Sequence, residues 1–127
     1  MSKADMYVKF LNDEGYRPEV DSDGDVRFKS EGGTYFVFAN ENDQQFFQLV
    51  FPAFWSIDND AERRKVLVAA DHATQKTKVV KVYTVGDNVW ASVELFFASP
   101  EQFKETFSRS ISALKAGVQN FVQKMRE

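Results

Sequence analysis

A chain of 127 residues with 43% hydrophobic content is large enough to close one core without a metal or a disulfide. Having no cysteine, it excludes a disulfide scaffold, a thiolate metal site and a cysteine nucleophile. Its net charge of −3 and pI near 5.2 argue against nucleic acid and anionic membrane as partners, because phosphate contacts call for a basic field.

The opening MSKADMYVKFLNDEG has no apolar run long enough for a secretory leader, and no stretch reaches the roughly 20 apolar residues of a membrane span. The expectation is a cytoplasmic protein with a single domain over residues 1–127. From Ser2 to Glu14, Met6, Tyr7, Phe10 and Leu11 lie on one helical stripe, with Ser2 as N-cap and Gly15 as the stop. Tyr16 to Val20 is extended and runs into the turn Asp21-Ser22-Asp23-Gly24. Val26 and Phe28 alternate with Arg27 and Lys29, the period of a half-buried strand. Thr34 to Asn40 is apolar on both sides, as a central strand would be, and Gln44 to Trp55 is a further strand. There Pro52, lacking an amide donor, should interrupt the ladder.

Asn59 and Glu62 open a second helix in a capping-box pattern, with Val66, Leu67, Ala69, Ala70 and Ala73 on its inner side. Lys78 to Val85 and Asn88 to Ala98 form a hairpin about Gly86-Asp87. Ser99, Pro100 and Gln102 start the last helix, whose apolar residues from Phe103 to Met125 recur at spacings of three and four, with Gly117 its weak point. The pattern predicts a two-layer α+β fold in the order α-β-β-β-α-β-β-α, an antiparallel sheet of about five strands with three helices on one face.

Nineteen aromatic residues (13 Phe, 4 Tyr, 2 Trp) are more than one sheet face needs. Val89, Ala91, Val93, Leu95 and Phe97 make a continuous apolar side of the last strand, leaving Trp90, Ser92, Glu94 and Phe96 opposite. Phe47, Leu49 and Phe51 likewise leave Phe46, Gln48, Val50 and Phe54 behind, and Val80 and Val82 leave Tyr83. Burial of this second set under a helix or curled strand would complete one larger core. Left uncovered, Trp90, Phe96, Tyr83 and Phe46 are candidate partner-binding residues.

No catalytic set emerges. His72 is the only histidine, so neither a His–His metal pair nor a Cys–His site can form; it sits mid-helix beside Asp71 with no nucleophile at a recognisable spacing, and a helix-flank role suits it. Asp21–Asp25 imitates a calcium loop, but an EF-hand needs glycine at position six and an acid at position twelve, where Val26 and Gly32 stand. An acidic turn is the better reading. Gly32-Gly33 lacks the lysine and spacing of a phosphate loop, and Arg63, Arg64 and Lys65 fan around a helix as a solvated face. Catalytic residues, metal ligands and cofactors are therefore all expected to be none.

The strand block GDVRFKSEGGTYFVFANENDQQFFQLVFPAFW, with the helix boundaries beside it, resembles the YbjN family, bacterial proteins labelled sensory transduction regulators. The resemblance runs from Met6 to about Met125, and the element order is similar to that of type III secretion chaperones. It implies a homodimer presenting apolar surface to a partner protein, and it carries no active site. The functional expectation is a non-catalytic protein-binding module, chaperone-like or regulatory, using the mixed sheet face or the second helix. A small-ligand sensor holding an apolar metabolite between sheet and helices is the alternative.

Overall fold

A computed structural model describes residues Met1–Glu127. The first helix, α1 (Lys3–Asp13), begins where the Ser2 hydroxyl accepts the Asp5 N–H at 3.0 Å and ends at Gly15, whose φ of 94° is open to glycine at little cost. Strand β1 is only Glu19–Val20. Pro18, just before it, has no N–H to donate, so the ladder cannot extend toward the helix. In the following turn Asp21 Oδ1 accepts the N–H groups of Asp23 and Asp25 at 2.9 and 3.0 Å, while Asp25 accepts that of Ala39. These carboxylates bind the chain's own amides, and the segment is an acidic turn.

Strands β2 (Val26–Ser30), β3 (Gly33–Phe38) and β4 (Phe46–Ser56) form a meander, followed by α2 (Asp60–Lys76). The hairpin β5 (Val80–Val85) and β6 (Asn88–Phe96) turns on Gly86-Asp87, and α3 (Phe103–Met125) follows a 3-10 turn at Pro100–Gln102. All pairings are antiparallel in the order β1-β2-β3-β4-β6-β5. The sheet thus has six strands, the sixth being the two-residue β1 cut from the extended run at Tyr16–Val20.

One face of this sheet holds the core. Val26 and Phe28, Tyr35 and Val37, Phe47 and Leu49, Val80 and Val82, and Val89, Ala91 and Val93 are all buried there against the helices. From α1 come Tyr7 and Leu11, from α2 Val66, Ala69 and Ala73, and from α3 Phe103, Phe107, Leu114 and Phe121. Phe10 bridges α1 to α3 with its ring 4.9 Å from Phe103 and 5.3 Å from Phe107.

Four sequence expectations change. Between Phe51↔Ala91 and Trp55↔Val89 strand β4 takes two extra residues, at Pro52 and an Ala53 with φ of 50°. This bulge rolls Phe54 off the mixed face and onto the helix side, 5.5 Å from both Phe51 and Phe121. Leu67 points outward from α2 with Val68 instead of lining its inner side. The basic triplet is not uniformly solvated. Arg63 donates to Gly86 O and Asp87 Oδ1 of the hairpin turn, and Lys65 reaches Met125 O at 3.4 Å. Gly117 is where α3 crosses β5, and a Cβ there would lie 2.6 Å from Val80 Cγ1. Its missing side chain lets helix and sheet approach.

Candidate functional site

No helix covers the other face of the sheet, and strand alternation decides what it presents. Across its middle one rung runs Phe36, Val50, Ser92 and Lys81 through β3, β4, β6 and β5. The next runs Phe38, Gln48 and Glu94. Beyond it Phe46 of β4 stands opposite Phe96 of β6, and on the other side Tyr83 of β5 stands opposite Trp90.

Two aromatic clusters result. Phe46 and Phe96 meet at 5.7 Å, and Phe96 keeps 78% of its surface exposed. The larger cluster contains Phe36, Phe38 and Trp90. Phe38 lies 6.1 Å from Phe36 and 6.5 Å from Trp90, although β4 separates the strands that carry Phe38 and Trp90. The two rings therefore lean over β4, and Val50 beneath them is completely buried on a face that no helix reaches. Phe36, Phe38, Trp90 and Tyr83 are each half-buried.

Gln48 and Glu94, in the rung of Phe38, place polar groups between the Phe46–Phe96 pair and Trp90. Glu94 accepts hydrogen bonds from Lys81 Nζ at 2.7 Å, Ser92 Oγ at 2.9 Å and Gln48 Nε2 at 3.3 Å, and Gln48 Oε1 accepts from Asn40 at 3.1 Å. Burial alone would raise the Glu94 carboxyl. The three donors and the lysine charge outweigh it and hold the group below its ordinary range. Glu94 stays charged at neutral pH and supplies the only fixed carboxylate inside the aromatic field.

The end of β4 that carries Phe46 is held from behind. Lys3, almost fully buried, donates Nζ to the carbonyls of Asp43 and Phe46 at 2.8 Å and of Asn40 at 3.3 Å. Glu41 accepts the Lys3 and Ala4 N–H groups at 2.9 and 3.0 Å, answering the open donors of the α1 N-terminus. Burial pushes the Lys3 ammonium down, against the raising influence of Asp43 and Glu41. This clamp fixes the β3–β4 connection, and with it the position of Phe46.

The four residues singled out from sequence, Trp90, Phe96, Tyr83 and Phe46, all stand on this open face, as two pairs on either side of the Glu94 rung. Phe36, Phe38 and Val50 join them and were not singled out. An all-apolar strand is equally consistent with burial on both sides, and only the one-sided placement of the helices tells the cases apart. A recess of about 700 Å³ lies at the β1–β2 edge rather than between sheet and helices, lined by Gly15, Tyr16, Arg17, Glu19, Arg27, Phe28, Lys29 and Thr34. His72 sits partly exposed on α2, away from the open face, and no group of three or more His, Cys, Asp or Glu is arranged to hold a metal ion. No helix is long and apolar enough to cross a membrane.

Comparison with known families and structures agrees with this fold. The model of a family described as T3SS (YopN, CesT) and YbjN peptide-binding chaperone 1, TY-Chap1, matches residues 6–118. A crystal structure of an uncharacterized protein from Methanothermobacter thermautotrophicus is similar in fold with a TM-score of 0.56. It is 13% identical in sequence, and the alignment covers 97% of this chain and 94% of that one. Comparison with curated proteins returns no match.

Proposed function

We propose, since this chain belongs to the TY-Chap1 family of type III secretion and YbjN peptide-binding chaperones, that its uncovered sheet face holds an extended segment of another protein. The carrying observation is the exposed and half-exposed set Phe96, Phe46, Trp90, Tyr83, Phe36 and Phe38 on the side without helices. Flat aromatic surfaces take up alternate side chains of an extended chain, and the loss of water from both partners supplies the affinity. The Glu94 rung adds a charged acceptor for an amide or cationic group between the apolar contacts. The work is binding without bond making, in keeping with a family described as peptide-binding chaperones.

The same reading makes the protein a homodimer. Leu67 and Val68 on the outer side of α2 are 52% and 60% exposed, and pairing of copies there would leave both sheet faces free. Binding is tested with an array of twelve-residue peptides probed by wild type and by Trp90→Asp. Wild type should retain apolar and aromatic peptides, and Trp90→Asp should lose them while keeping its circular dichroism spectrum. Unchanged retention by a folded Trp90→Asp protein would refute the docking face. Sedimentation equilibrium tests the dimer, which Leu67→Asp should dissociate. A wild-type monomer at micromolar concentration would end the dimer reading and leave the peptide reading standing.

A further inference from the structure

We propose that the recess at the β1–β2 edge is a docking site for acidic side chains, so that the segment held on the open face carries Asp or Glu where it passes β2. This rests on the reading that the open face binds an extended segment, and it specifies the chemistry of that segment.

The recess exists because β1 is short. Pro18 ends the ladder at Glu19, so β1 pairs only with Val26 and Arg27, and the chain from Gly15 to Arg17 stands off the rest of β2. Into the resulting space of about 700 Å³ come three cations, Arg17, Arg27 and Lys29, and one carboxylate, Glu19. Glu19 is bound to Arg27 at 2.6 Å. Arg17 and Lys29 are exposed and take part in none of the six ion pairs of the chain. Glu31, at the nearby β2–β3 turn, is drawn to Lys115 of α3 at 3.2 Å and leaves Lys29 unanswered.

A local excess of positive charge in a chain of net charge −3 is a field with a sign, and it selects anionic groups. Two of its cations also stand beside the aromatic field. Arg27 is registered with Phe36 and Lys29 with Thr34, so both cations project from the open face beside its largest cluster. A carboxylate suits these groups by charge, and a guanidinium can grip it with two parallel hydrogen bonds.

The test uses the full-length chain and three fluorescein-labelled peptides of about twelve residues, roughly 40 Å when extended. All share an alternating Leu/Phe core and are flanked on one side by three Glu, three Gln or three Lys. Fluorescence anisotropy at low salt should show the Glu peptide binding about five- to tenfold more tightly than the Gln peptide, the scale of two exposed ion pairs. The Lys peptide should bind weakest, and the differences should shrink in 0.5 M salt as screening takes hold. The double variant Arg17→Glu, Lys29→Glu should reverse the Glu and Lys order and leave the Gln peptide unchanged. Equal binding of Glu and Gln peptides, or a preference for Glu that survives the double variant, would overturn the proposal and leave the peptide-docking reading intact. Failure of all three peptides to bind would remove both.

Discussion

The two faces of one sheet have similar ingredients and opposite fates. On the helix side Phe28, Phe47, Leu49 and Val93 are sealed at 2% exposure or less, whereas on the open side Phe96 alone retains 78%. Both faces follow from the same alternation, in which each strand sends every second residue to one side. The difference lies in the cover. Three helices supply their apolar stripes to one face only, and none remains for the other. The open face is not simply unfinished, since Val50 and Ser92 are fully buried within it under neighbouring side chains and Glu94 has three donors. It is an ordered surface without a cover.

The contrast can be broken most severely from the covered side. Phe121 of α3 is completely buried against Phe54 and Trp55, and Phe121→Ala should cost about 3–5 kcal/mol in denaturant unfolding. Gly117→Ala probes how closely the cover sits. Helix propensity alone would favour alanine by about 1 kcal/mol. The Cβ placed 2.6 Å from Val80 Cγ1 should reverse that to a net loss of about 1–3 kcal/mol. Adding Val80→Ala should recover part of the loss in a double-mutant cycle, and additive effects would mean the two residues do not touch.

A smaller effect is expected on the open face. Glu94→Gln should lower stability by about 1 kcal/mol at neutral pH, since Lys81 is largely exposed and its ion pair correspondingly weak. The folded carboxyl titrates below its unfolded value, so its contribution is complete above the unfolded pKa and disappears as pH falls through the folded one. Wild type and Glu94→Gln should therefore converge in melting temperature in acid. A gap that persists there would show that packing, not charge, matters at this rung. Smallest of all, Phe96→Ser should change stability by less than about 0.5 kcal/mol, because little of that ring is removed from water. A large loss would mean that Phe96 belongs to the core.

Much of this was legible one residue at a time. The caps at Ser2 and Asn59, the hairpin at Gly86-Asp87 and the stripe of α3 use local hydrogen bonds and short-range periodicity, so composition within a few residues determines them. The same alternation placed Trp90, Phe96, Tyr83 and Phe46 on one face. It failed at Phe54, where Pro52 announced an interruption but not its length. A two-residue bulge depends on where β6 can resume pairing, and that is a long-range condition. Leu67 failed for a related reason. With the neighbouring positions Val66, Leu67 and Val68 all apolar, only the location of α3 and β5 decides which of them turns inward.

The elements, their order and the presence of more aromatic surface than one layer of helices can cover were readable from the chain, because those properties are carried by residues next to one another along it. Tertiary structure alone decided that the helices gather on one side, that Gly117 brings α3 onto β5, and that Arg17, Arg27 and Lys29 meet at the edge of an otherwise acidic molecule. Such meetings depend on distances between residues far apart in sequence, and packing and chain closure set those distances only when the whole sheet has formed.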